Sequence, residues 1–169
     1  VAGISIQSEI EFASQHTPAT LIGITGSNGK TTTTLLLHHI LKEAGLNVGI
    51  AGNIGESFAQ KVAENDHDFY VLEISSFQLD DIQTFAPEIA VITNITPDHL
   101  DRYNDDFLLY IKSKLRIAAN QNPNQFLLFN ADDPVLVEAL KSSSTVAKKL
   151  PFGFTNTSPI GASYANEEI

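Results

Sequence analysis

The chain has 169 residues, 43% hydrophobic and 18% charged, a balance that suits one folded domain with a sizeable core and excludes a disordered chain. Its formal net charge of −10 argues against a nucleic-acid binder, which needs a basic face to neutralise phosphates. Without Cys, disulfides and thiolate metal sites are excluded, and no apolar run approaches the roughly 20 residues of a membrane span, so the expected setting is cytoplasmic with no membrane partner.

The first residues, Val1-Ala2-Gly3-Ile4, carry neither an initiator Met nor the basic start of a signal peptide and read as the middle of a longer chain. Thr20-Leu21-Ile22-Gly23-Ile24-Thr25 is a buried-strand pattern. From Thr32 to Ala44 apolar residues recur at 35, 36, 37, 40 and 41, a helical spacing that Gly45 closes. Asn47 to Ala51 is a short strand, and a helix is expected over Glu56 to Glu64. Asp68 to Glu73 and Ile89 to Thr93 are continuous apolar runs that end in polar residues. Phe107 to Ala119 has helical spacing, with Leu108, Ile111, Leu115 and Ala118 on one stripe; Phe126 to Phe129 is a strand and Val135 to Leu140 a short helix. Pro151 to Ile169 shows no periodicity.

Strands alternating with helices imply βαβ units. The predicted fold is α/β: three layers, a P-loop-type, mostly parallel sheet with helices on both faces. Ligands in such folds sit beyond the C-terminal ends of the strands. Each of the first four strands ends there in a polar or Gly-rich motif: Thr25-Gly26, Gly52-Asn53, Glu73-Ile74-Ser75-Ser76 and Asn94-Ile95-Thr96.

Gly26-Ser27-Asn28-Gly29-Lys30-Thr31-Thr32, with Thr33 behind it, follows a strand and opens a helix. Glycines allow a tight turn that brings backbone amides against phosphate oxygens, and the helix start adds unpaired amides and positive partial charge. Lys30 would reach the outer phosphates, and the Thr31 hydroxyl would ligate Mg2+. The spacing departs from the common G-x-x-x-x-G-K-[ST], since position 24 is Ile.

Read from Thr25 to Thr32, this shortened loop resembles that of the Mur ligase family, which also includes folylpolyglutamate synthetases. Gly52-Asn53-Ile54-Gly55, Glu73-Ile74-Ser75-Ser76-Phe77-Gln78-Leu79 and Asn94-Ile95-Thr96-Pro97-Asp98-His99-Leu100-Asp101-Arg102 match further family motifs in order. The Ser-Ser-Phe-Gln-Leu version is similar to the branch that adds D-glutamate to UDP-N-acetylmuramoyl-L-alanine in peptidoglycan synthesis. The resemblance implies an ATP-dependent ligase that phosphorylates a substrate carboxylate and lets an amine attack the acyl phosphate. It implies ATP and Mg2+ as cofactors, with Lys30, Glu73, His99 and Lys114 as catalytic residues. Gly26 to Thr33 would hold the nucleotide. Thr31, Glu73, His99 and, once carbamylated, Lys114 would ligate metal. Lys114 equally reads as a solvent-facing helix lysine, and Lys112 is a nearby competitor. Ser75, Gln78 and Asn53 would bind the muramoyl substrate, with Ser76 a weaker candidate and Asn53 alternatively orienting a phosphate.

Asp98, Asp101 and Arg102 are expected to brace their loop by ion pairing, and Asn130 to Asp133 to be structural. On the same resemblance residues 1–17 are the end of an N-terminal domain and a linker. Residues 18–169 are then a central ATP-binding domain incomplete at its C-terminal end, a C-terminal ligase domain is absent, the protein acts as a monomer, and the chain alone is inactive. Alternatives that remain open are a sister ligase adding another amino acid to a muramoyl peptide or glutamate to folate, a generic P-loop kinase or switch, and a non-catalytic module that binds nucleotide or a partner protein.

Overall fold

The computed structural model describes residues 6–154 and 160–163. In chain order these form α1 (Glu9–Ser14), β1 (Thr20–Thr25), α2 (Lys30–Glu43), β2 (Val48–Gly52), α3 (Phe58–Glu64), β3 (Phe69–Glu73), α4 (Ser76–Asp80), β4 (Ile89–Ile92), α5 (Phe107–Leu115), β5 (Phe126–Asn130), α6 (Pro134–Lys141), β6 (Lys148–Gly153) and β7 (Ala162–Ser163). Two 3-10 turns, Leu100–Tyr103 and Arg116–Ala118, flank α5. The strands make one seven-stranded sheet in the order β2-β3-β1-β4-β5-β6-β7, parallel at every pairing.

Alternation along each strand sorts side chains between two faces. Leu21, Tyr70, Leu72, Ala90, Ile92 and Leu127 pack in one core with Ile10 and Ala13 of α1, Phe58 of α3, Leu79 of α4, Tyr110 and Ile111 of α5 and Leu136 of α6. Ile22, Ile24, Val48, Val71 and Val91 face the other way, against Leu37 and Leu41 of α2. The expected three-layer arrangement is therefore present. Its first core is anchored by large, fully buried side chains, among them Phe58 and Tyr70, whose rings meet edge to face at 5.0 Å; truncating either to Ala costs about 3–5 kcal/mol.

Several elements differ from expectation. The apolar stripe of α2 is a core face only in part: Leu37 and Leu41 pack on the second core, Leu35, Leu36 and Ile40 are about half exposed, and Thr34 is the buried residue of that helix. The expected stripe of α5 is kept at Ile111, Leu115 and Ala118, which pack on the core, but not at its start. Leu108 is exposed, and the buried face carries Tyr110, Ile111, Ser113 and Lys114. That helix ends at Leu115 and tightens into the 3-10 turn Arg116–Ala118. Pro151 lies inside β6, where a missing amide donor and two preceding lysines disguise a strand. Within residues 1–17, expected to be the end of a domain and a linker, the chain forms α1, capped by Ser8. No helix among the described residues is long and apolar enough to cross a membrane.

The topology fixes where a ligand can sit. From β1 the chain runs by α2 to the edge strand β2, whereas after β3 it passes to β4 on the far side of β1. The connections thus diverge between β1 and β4, and the crevice beyond their C-terminal ends is the switch point of the sheet.

Candidate active site

The loop after β1 is held down before it can hold anything else. Asn94, just past β4, uses its side chain on both backbone groups of Asn28, accepting from the Asn28 amide and donating to its carbonyl, each at 2.9 Å. Ser27 donates its amide to the Asn94 carbonyl at 2.9 Å and its hydroxyl to the Thr96 carbonyl at 2.9 Å. The buried Ser27 side chain thus points inward, where it also shares a hydrogen bond with the Tyr110 hydroxyl at 3.1 Å. Gly26, at φ +151°, passes so close to Thr93 that an added Cβ would lie 1.9 Å from Oγ1. Gly29 sits at φ +80° as the N-cap of α2.

The first helical bond runs from the Thr33 amide to the Gly29 carbonyl at 3.0 Å. The amides of Lys30, Thr31 and Thr32, like that of the N-cap Gly29, therefore have no acceptor within the helix. They form an anion-ready helix start, while the Ser27 and Asn28 amides are committed to Asn94. Lys30 folds back over the loop, donating from Nζ to the carbonyls of Gly26 at 2.9 Å and Ser27 at 3.0 Å. Thr32 is exposed, and the Thr33 hydroxyl returns to the Gly29 carbonyl.

Glu73 ends β3 beside this loop and is buried. Its Oε2 accepts from the Thr31 hydroxyl at 2.6 Å and its Oε1 from the Asn53 side-chain Nδ2 at 2.9 Å. One buried carboxylate thus gathers the ends of β2, β3 and the helix start. Ser75 and Gln78 form a capping box for α4: Ser75 Oγ accepts from the Gln78 amide, and Gln78 Oε1 accepts from the Ser75 amide at 2.9 Å. Ser76 is buried, and its side chain is hydrogen-bonded to Tyr103.

Lys114, on α5, is buried and donates from Nζ to the same Gly26 carbonyl at 2.8 Å; its Nζ lies 4.7 Å from the Tyr110 ring centroid. Burial pushes its pKa down to about 7, the Lys30 ammonium pushes the same way, and Asp98 opposes. The solvent-facing reading of Lys114 is thereby excluded. Lys112 instead lines an outer groove with Leu108 and Glu138.

His99 stands at the opposite mouth in the left-handed region, φ +49°, with its side chain more than half exposed and Nε2 3.6 Å from Asp98 Oδ2. The expected ion pairing of this loop is replaced at Arg102: its guanidinium lies 4.1 Å from the centroid of the Phe77 ring. Asp133 proves structural as expected, accepting from the Ile95 amide and from Val135 and Leu136 at the start of α6.

Lys30, Asn53, Ser75, Ser76, Asp98, His99 and Lys114 line one cavity of about 210 Å3 together with Phe77 and Tyr110. It is smaller than the roughly 300–1,000 Å3 of pockets that enclose a drug-sized ligand, and suited to a phosphate and the group reacting with it. Thr31, Glu73 and Gln78 adjoin it through the bonds above. Phe77 and Tyr110 were not among the residues expected there. Tyr110 could have been found from its spacing, four residues before Lys114 on one helix face. A larger groove of about 580 Å3 between α5 and α6 is walled mainly by Phe107, Ile111, Leu115 and Val135, with Lys112, Glu138 and Ser142 also lining it.

The Mur ligase middle domain matches residues 24–168. The chain is 53% identical over 167 residues to UDP-N-acetylmuramoylalanine–D-glutamate ligase of Christiangramia forsetii, covering 99% of this chain and 38% of that protein. With the Bacteroides fragilis enzyme of the same name it shares 55% over 150 residues, 89% of this chain and 34% of the relative. The chain thus spans little more than a third of these relatives' length. Among solved structures, MurF ligase from Thermotoga maritima in complex with ADP superposes with a TM-score of 0.67 at 24% identity, over 87% of this chain and 35% of that one. E. coli FolC in complex with DHPP and ADP gives 0.61 at 15%, over 92% and 50%. At these identities the structures speak for the fold alone.

Proposed function

The chain belongs to the Mur ligase family, as its middle domain, and from that premise we propose that it is the ATP-binding core of a ligase joining D-glutamate to UDP-N-acetylmuramoyl-L-alanine. The observation that carries the reading is the convergence of Lys30, His99 and Lys114 on one cavity at the sheet's switch point, in a chain about half identical to D-glutamate ligases.

The amides of Gly29 to Thr32 receive the ATP phosphates, and Lys30 leaves the Gly26 and Ser27 carbonyls to meet the outer ones. Thr31 and Glu73 offer hard oxygens already 2.6 Å apart, a pair that fits Mg2+. Mg2+, when bound, supplies charge neutralisation over phosphate and carboxylate oxygens. Among the described residues no three His, Asp or Glu side chains gather as a metal site, so a second Mg2+ at His99 requires a further anionic oxygen. Lys114 provides one by condensing with carbon dioxide: its neutral amine forms the N–C bond and releases one proton to solvent. The pKa near 7 leaves a large neutral fraction for that step, and Lys30 is at hand to balance the new negative charge. Ser75, Gln78 and Asn53 face the muramoyl carboxylate that ATP phosphorylates, and the amine of D-glutamate then displaces phosphate.

Residues 18–169 act in this reading as the central domain of a longer ligase, and the 169-residue chain alone makes no amide bond. Steady ADP release by the intact protein, measured with each substrate withheld in turn, tests the reaction class. Release that needs both the muramoyl substrate and D-glutamate is expected; turnover without an amine acceptor would mark a kinase or phosphatase and refute it.

A further inference from the structure

Phe77, at the rim of the cavity, belongs to α4, while His99 and Arg102 belong to the loop after β4. Their contacts interlock: the His99 ring meets the Phe77 ring edge-on at 5.4 Å, Arg102 covers it at 4.1 Å, and Tyr103 stacks 6.3 Å away. This loop holds three non-glycine residues in the left-handed region, His99, Asn104 and Asp105 at φ +49°, +55° and +59°. Such conformations persist where surrounding contacts over-determine them. The one buried side chain between these residues is Tyr103. Its hydroxyl donates to Asp80 Oδ2 at 2.9 Å, at the end of α4, and lies 3.2 Å from Ser113 Oγ. Ser113, next to Lys114, donates in turn to the Ser76 carbonyl at 2.9 Å. Asp80, Tyr103, Ser113 and Ser76 thus tie α4, the His99 loop and α5 through one largely buried bridge.

We infer that Tyr103, Asp80 and Ser113 are positioning residues, a hydrogen-bonded bridge that sets His99 in register with the Ser75–Gln78 segment and with Lys114. None of the three lines the cavity; they act through His99, Phe77 and Lys114, which do. The inference rests on the reading of this cavity as the ligase site for its functional consequence, though the coupling itself does not. Beside the bridge, the turn Leu100–Tyr103 is held by the Phe77 stack, the edge contact of Tyr103 with Tyr110 at 5.4 Å and the packing of Leu100 on the core, none of which joins the His99 loop to Ser113 and the Ser76 carbonyl.

The test uses Tyr103→Phe, which keeps the ring and its stack on Phe77, beside Asp80→Ala and Asp80→Asn. Amide hydrogen exchange in the chain is expected to quicken roughly tenfold, the factor commanded by one hydrogen bond to a charged group. The change should reach both residues 98–106 and residues 75–79 in Tyr103→Phe and Asp80→Ala. Asp80→Asn retains an acceptor and should stay near wild type. In the intact ligase, Tyr103→Phe should raise the Mg2+ concentration for half-maximal rate by a comparable factor while KM for ATP stays nearly constant. Exchange that quickens only in residues 98–106, or a uniform loss of kcat with an unchanged Mg2+ requirement, would overturn the proposal. The exchange arm needs no substrate, so it judges the coupling even if the amide-forming reading fails.

Discussion

Lys30 and Lys114 both donate to the Gly26 carbonyl, at 2.9 and 2.8 Å, so two lysine side chains converge on one oxygen at the floor of the phosphate loop. Lys30→Ala removes the side chain that would follow the outer phosphates, and ATP affinity should fall by about tenfold or more in calorimetry. Lys114 makes a pH prediction. Its folded pKa of about 7 lies below the ordinary 10.5, so between those values the folded chain binds fewer protons than the unfolded one. Stability therefore rises with pH across that window and carries the cost of a buried ammonium below it. In buffer free of carbon dioxide the thermal midpoint should climb from pH 7 to pH 9, and Lys114→Met should flatten the climb; an equal climb in the variant would show that other groups carry it. Lys30, Thr31 and the loop glycines were legible in the sequence because phosphate binding needs them contiguous. Lys114 could be singled out only by resemblance, since its burial depends on α5 turning Tyr110, Ser113 and Lys114 inward. Phe77, Tyr103 and Tyr110 were not read as site residues at all, because their roles arise from packing between segments far apart in the chain.

At the scale of elements, the strand ends carry the site and the helices keep them in place. The Ser75–Gln78 capping box organises a helix of five residues, too short to persist by propensity. Ser75→Ala should cost about 1 kcal/mol of stability, measured by denaturant unfolding, and disturb the segment proposed to face the muramoyl substrate. Gly26→Ala is predicted to be more severe, because its Cβ would meet Thr93 Oγ1 at 1.9 Å and dislodge the loop; loss of ATP binding with the fold retained is the expected result by calorimetry and circular dichroism. Strands β1 to β5 could be read from apolar runs because a parallel sheet buries both faces. Strand β6 could not, since Pro151 and the Lys148–Lys149 pair break the pattern. The α2 stripe misled for a related reason: the sheet uses Leu37 and Leu41, and Leu35, Leu36 and Ile40 look outward.

For the molecule as a whole, a second strong electrostatic commitment lies away from the site. Glu11 of α1 is buried, and its carboxylate accepts from the amides of Gln83, Thr84 and Phe85 and from the Thr84 hydroxyl. Burial pushes its pKa up, but the Thr84 hydroxyl and the three amides outweigh it and hold the value down at about 2, against an ordinary 4.5. The stability this contributes is fully present above pH 4.5 and lost as pH falls towards 2. Glu11→Gln should flatten that acid limb in denaturant titrations and cost about 2–3 kcal/mol near neutrality. Sequence reading missed this anchor, because a carboxylate in a stretch expected to be linker gives no sign of the loop it will cap. What the whole fold presents is a rim of strand ends with an anion-ready loop, in a chain whose relatives are named for adding D-glutamate. The most direct measurement is therefore mass spectrometry of the product formed by the intact protein from UDP-N-acetylmuramoyl-L-alanine, ATP and a panel of amino acids. An amide bearing D-glutamate, formed only with ATP, is the predicted result; no amide, or one formed preferentially with another amino acid, would contradict it.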